Sequence, residues 1–108
     1  MINPKPGEVY WVNLGIAAKH RPLMVVSRED SDAERALAVC VPLTTEIRGG
    51  NYEVTIPRVR WMPGAGQGVA NVQGITSVEW HRLERRAGQF DLAVLKKIRE
   101  AIAWMLQI

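Results

Sequence analysis

Gly7-Glu8-Val9-Tyr10-Trp11-Val12-Asn13-Leu14 is the stretch that decides the fold class. It is β-branched and aromatic, alternates roughly with period two, and follows the turn residues Pro4-Lys5-Pro6-Gly7, which predicts a strand. A strand needs partners, and the chain downstream offers them. Pro22 to Ser27 and Ala36 to Leu43 are short apolar runs of strand length, and Pro42 suits a strand terminus or edge because proline cannot donate to a ladder. Between them, Arg28 to Arg35 holds six charges and two small residues, the composition of an exposed connection. Gly49-Gly50-Asn51 marks a turn before the alternating run Tyr52-Glu53-Val54-Thr55-Ile56, which Pro57 closes. Pro63 to Gly68 reads as a loop, and Val69 to Val78 resumes β-branched character with a bend expected near Gly74. Then the period changes. Leu95, Ile98, Ala101, Ile102, Met105 and Leu106 recur at three and four residues, so an amphipathic helix is expected from Leu92 onward, with Asp91 as its N-cap. The sum is a mainly β chain of roughly five or six short strands, a small half-open barrel or twisted sheet with a terminal helix over one face.

The 108 residues, 47% hydrophobic and 23% charged, suffice for one domain spanning residues 1–108 and argue against a disordered chain. Cys40 is the lone cysteine, which excludes a disulfide-stapled secreted scaffold and points to a reducing compartment. No apolar stretch approaches the ~20 residues of a membrane span, and the N-terminus lacks a signal-peptide pattern, so a soluble cytoplasmic protein is expected, with no membrane association. Net charge is only +3, yet ten of the fourteen cations are arginine. The planar guanidinium binds phosphate oxygens bidentately, so this choice hints at an anionic polymer or acidic partner while remaining compatible with a solvated mixed surface.

No cofactor or metal signature is present, and none is expected: there is no phosphate-cradling loop, no Cys-x-x-Cys and no His-Glu-x-x-His, and His20 and His81 each sit beside arginine. Phosphodiester cleavage can proceed without a metal when the ribose 2′-hydroxyl supplies the nucleophile. The protein then needs a proton acceptor, a donor to the leaving oxygen and cations for the phosphoryl oxygens. Lys19-His20-Arg21, held by Pro22 at the mouth of a buried strand, offers such groups, and Thr44 and Thr45 at another strand end add hydroxyls. Read plainly, the same triplet is an exposed turn and the threonines are turn chemistry. Arg58 and Arg60 beside Trp61 suit either a nucleic-acid surface or a charge-protected edge strand. Cys40 reads as a buried small hydrophobe, and His81 as a surface residue.

The order of three segments carries more than any one of them. Pro6-Gly7-Glu8-Val9-Tyr10-Trp11-Val12-Asn13-Leu14, then Arg21-Pro22-Leu23-Met24-Val25-Val26-Ser27, then Val41-Pro42-Leu43-Thr44 resembles the MazF/PemK family of toxin endoribonucleases. The resemblance implies an SH3-like small barrel with a terminal helix, of the MazF/PemK/CcdB type, acting as a homodimer. It implies a type II toxin neutralised by an acidic, MazE-like antitoxin. It also implies metal-independent, sequence-selective cleavage of single-stranded RNA to a 2′,3′-cyclic phosphate and a 5′-hydroxyl. Arg21 matches the arginine of the family's Arg-Pro motif and Thr44 the threonine ending the third segment, the two positions assigned to phosphate activation and proton handling. Lys19, Thr45, Arg48, Gln73 and Thr76 are the accompanying candidates for RNA contact.

Two departures from the family pattern matter. The loop Gly15-Ile16-Ala17-Ala18-Lys19-His20 is short and lacks the acidic residue that some members carry there, which leaves the general base unassigned. Thr76 stands where a second arginine is often found, so a cationic contact is missing and His20 is a candidate replacement donor. Two alternatives stay open: a non-catalytic toxin of the same fold that binds a protein target such as DNA gyrase, as the CcdB family does, and a degenerate member retaining only antitoxin binding.

Overall fold

The computed structural model describes residues 3–13, 15, 20–62 and 67–108. Among these residues seven strands run in chain order as β1 (Glu8–Asn13), β2 (His20–Val25), β3 (Leu37–Thr44), β4 (Glu53–Ile56), β5 (Gly68–Asn71), β6 (Thr76–Glu79) and β7 (Arg85–Gln89), followed by helix α1 (Leu92–Leu106). Their spatial order is β4-β5-β3-β2-β1-β7, with β6 pairing beside β3, and every ladder is antiparallel. This is the mainly β arrangement with one C-terminal helix that the sequence pattern predicts, as an open, barrel-like sheet.

Period-two alternation gives β1, β2 and β3 two buried faces, and each face has its own core. Val9, Met24, Val41 and Leu43 point to one side, where Ile56, Val72, Leu95 and Ile98 close over them. Tyr10, Val12, Leu23, Val25 and Cys40 point to the other, under Val78, Trp80 and Leu83. A strand buried on both sides reads as a continuous apolar run, which is why the Pro22 to Ser27 segment shows little alternation. The helix starts where expected: Asp91 Oδ1 accepts the Val94 amide at 3.1 Å, satisfying one of the unpaired first-turn donors.

Three details depart from the sequence reading. β3 runs on to Thr44, so Pro42 lies inside a strand rather than at its terminus; it is paired with Leu23 of β2 on one side, and on the other it sits where β3 exchanges β6 for β5 as neighbour, a side with no continuous ladder to interrupt. The Val69 to Val78 stretch divides into β5 and β6 around a single 3-10 turn, Val72–Gly74. Gly74 packs so tightly there that a Cβ would come 2.7 Å from Pro42 Cγ. Finally, β7 is a strand of Arg-Arg-Ala-Gly-Gln, whose composition carries no β signal and which forms by pairing with the free side of β1. The Pro63 to Gly66 part of the expected loop lies outside the described residues.

Candidate active site

Arg21 is the second residue of β2 and Thr44 the last of β3. Leu23 faces Pro42 across the antiparallel β2–β3 ladder, and the same register continued by two residues brings Arg21 level with Thr44. Both line one open groove of about 270 Å³, together with Pro42, Leu43, Glu46, Arg48, Glu53 and Asn71. The sheet therefore brings a guanidinium and a hydroxyl into one groove where β2 begins and β3 ends. Arg21 is exposed and forms no ion pair within 4 Å among the described residues, so its charge is free to meet an anion. Thr44 Oγ1 accepts the Glu46 amide at 3.0 Å, which leaves its own proton available to donate.

The far wall is built by hydrogen bonds. Glu53 accepts the Arg48 amide at 3.1 and 3.2 Å and the Gly49 amide at 2.7 Å, tying the loop after β3 to the start of β4. Arg48 in turn donates from Nη2 to Glu46 Oε1 at 2.9 Å. Two cations and two carboxylates thus share the groove, a balance that can grip a phosphate without becoming an indiscriminate cationic track.

His20 adjoins Arg21 in sequence but not in this site. Successive strand residues point to opposite faces, and His20 lines a separate depression of about 410 Å³ with Trp11, Glu84 and Arg85. Its Nε2 lies 3.6 Å from a Glu84 carboxylate oxygen, and Arg85 stands 6.0 Å over the Trp11 ring. Thr45 is exposed just beyond β3. Gln73 is not among the residues that line the groove; its backbone N–H donates at 3.1 Å to Oδ1 of the groove residue Asn71. Thr76 pairs with Cys40, four residues back from Thr44 and so roughly 13 Å along the strand. Lys19 lies outside the described residues.

The remaining candidates resolve simply. Burial pushes the Cys40 thiol up to about 12, so it is no nucleophile at neutral pH. Trp61 is half-buried and packs edge-on against Phe90 with centroids 5.8 Å apart, a satellite of the core. His81 is exposed, 3.9 Å from Glu79. Among the described residues no group of three or more His, Cys, Asp or Glu side chains is placed to hold a metal ion, and no helix is long and apolar enough to cross a membrane.

The family of PemK-like, MazF-like toxins of type II toxin–antitoxin systems matches residues 5–106. The chain belongs to that toxin family. Solved structures agree. MazF from Deinococcus radiodurans superimposes with a TM-score of 0.81 over all of both chains at 21% identity, a likeness of fold. An endoribonuclease in complex with its cognate antitoxin from a mycobacterial species gives 0.80 at 27% identity, covering 97% of this chain and 96% of the other. An endoribonuclease from a mycobacterial species gives 0.81 at 26%, covering 100% and 95%. Among curated proteins none matches the chain. In this toxin the groove members that sequence reasoning missed are Glu46, Glu53 and Asn71. No motif marks them; the only local cue is the Gly49-Gly50 turn, which folds the loop back and brings Glu53 onto its amides.

Proposed function

We propose that this toxin is an endoribonuclease that cuts single-stranded RNA at selected sequences, without a metal, by attack of the ribose 2′-hydroxyl on the adjacent phosphorus. The carrying observation is the Arg21 guanidinium, with no ion-pair partner among the described residues, level with Thr44 in an open groove. Arg21 binds the phosphoryl oxygens and stabilises the charge that accumulates on them, while Thr44 donates a hydrogen bond that fixes the scissile phosphate. Bond exchange leaves a 2′,3′-cyclic phosphate and a 5′-hydroxyl. Relatives at 26 and 27% identity described as endoribonucleases support the reading.

The partner that restrains it is an acidic, MazE-like antitoxin: one such relative was solved with its cognate antitoxin, and this chain carries a surplus of arginine. The chain acts as a homodimer, since α1 leaves Leu92, Trp104, Leu106 and the following Ile108 exposed on a small protein. A sedimenting monomer at micromolar concentration overturns the dimer. The activity is tested by incubating purified protein with a defined transcript in EDTA and mapping the new 5′ ends. Wild type should cut at a few short motifs, and Arg21→Ala should slow cutting by about 100–1000-fold, the usual loss when one preorganised charge donor is removed. An intact transcript, or equal cutting by Arg21→Ala, refutes the proposal; toxicity without cleavage would favour a protein target instead.

A further inference from the structure

We infer that Glu46 is the general base of this cleavage, held in place by Arg48; the inference rests on the endoribonuclease reading above. Attack by a 2′-hydroxyl needs a group that takes its proton, and that group must stand beside the phosphate-binding pair. Glu46 is two residues past Thr44, and its backbone N–H is held 3.0 Å from Thr44 Oγ1, so the chain turns there and Glu46 lies on the wall of the groove that Arg21 and Thr44 also line. Arg48 Nη2 donates to Oε1 at 2.9 Å in a solvent-exposed pair, which biases the carboxylate's orientation and leaves Oε2 without a hydrogen-bond partner among the described residues.

The other groups facing this point do not serve. Glu53, from β4, has both oxygens engaged by the Arg48 and Gly49 amides and positions the loop instead. Asn71, from β5, is an amide with no proton affinity near neutrality, and Arg21, from β2, offers only N–H donors and no acceptor. Thr44 already accepts an amide at its oxygen, and His20 projects from the opposite face of β2. As the O2′–P bond forms, the hydroxyl proton passes to Glu46 Oε2. The P–O5′ bond breaks, the 5′-oxygen takes a proton from water, and Glu46 returns its proton to solvent. No oxidant, reductant or further reactant is required.

The test compares wild type, Glu46→Gln, Glu46→Asp and Arg21→Ala in single-turnover cleavage of one transcript in EDTA across a range of pH, with binding measured on an all-deoxy copy of the same sequence. Glu46→Gln should cut about 100-fold or more slowly, as expected for loss of a general base, and should lose the low-pH limb of the rate profile. Its affinity for the uncleavable copy should stay within about threefold, and Glu46→Asp should recover a substantial part of the rate. If Glu46→Gln cuts at near wild-type rate while Arg21→Ala is inactive, the base is another group and the endoribonuclease reading survives. A slow Glu46→Gln with weakened binding and an unchanged pH profile likewise overturns the inference, because it marks a binding contact. If the wild type leaves RNA intact, the underlying reading falls as well.

Discussion

Replacing Gly7 by alanine probes the point where three strands are tied together. Gly7 adopts φ +93, its N–H donates to the Val25 carbonyl at 2.8 Å, and its own carbonyl accepts the Phe90 amide at 2.9 Å. It therefore links the start of β1 to the ends of β2 and β7. An added Cβ would lie 2.8 Å from the Phe90 carbonyl oxygen, a backbone atom that cannot rotate aside. Two costs follow. The left-handed region disfavours an L side chain by roughly 1–2 kcal/mol, and displacing Phe90 weakens a backbone hydrogen bond worth about 1 kcal/mol. Gly50 separates these terms, because it has φ +99 but nothing within 4 Å of the added atom. Gly50→Ala should lose about 1–2 kcal/mol and Gly7→Ala about 2–3 kcal/mol. At roughly 4–8 °C per kcal/mol for a domain of this size, Gly7→Ala should melt about 10–20 °C below wild type. Urea unfolding and thermal melts of the three proteins measure both differences. A Gly7→Ala protein as stable as Gly50→Ala would falsify the argument, since the steric and hydrogen-bond cost would then be absent.

The helix–sheet contact should be as costly to disturb: Ile98 is fully buried between α1 and the sheet, and Ile98→Ala should lose about 2–5 kcal/mol in the same urea assay, whereas a loss below about 1 kcal/mol would mean the helix does not cover that core. Cys40 supplies a pH test. Burial raises its thiol to about 12 in the folded chain, while in the unfolded chain it titrates near ~8.5. Between those values the unfolded state holds fewer protons, so this contribution is fully present below the window and is lost as pH rises through it. Wild type should accordingly lose stability more steeply than Cys40→Ala between about pH 8.5 and 11, and coincident slopes would contradict the burial.

Much of the fold was legible in the sequence because the relevant signals are local. The alternation from Gly7 to Leu14, the apolar runs after Arg21 and before Thr44, the Gly49-Gly50 turn, the bend near Gly74 and the Asp91 cap each depend on neighbours within one turn or one pleat. β7 was not legible, because Arg-Arg-Ala-Gly-Gln becomes a strand only when the unpaired backbone of β1 lies beside it. Pro42 misled for the same reason: its tolerance inside β3 depends on which strand lies opposite.

The candidate site divides along that line. Residue types marked Lys19-His20-Arg21 and Thr44-Thr45 as candidates, and the resemblance to the toxin family singled out Arg21 and Thr44 among them. Only the tertiary structure brought the two level across the β2–β3 ladder, turned His20 to the other face, set Thr76 opposite Cys40, four residues along β3 from Thr44, and added Glu46, Glu53 and Asn71 to the groove. Those additions come from three separate elements joined through loop amides and ladder register. Their proximity is a non-local quantity that no spacing along the chain encodes.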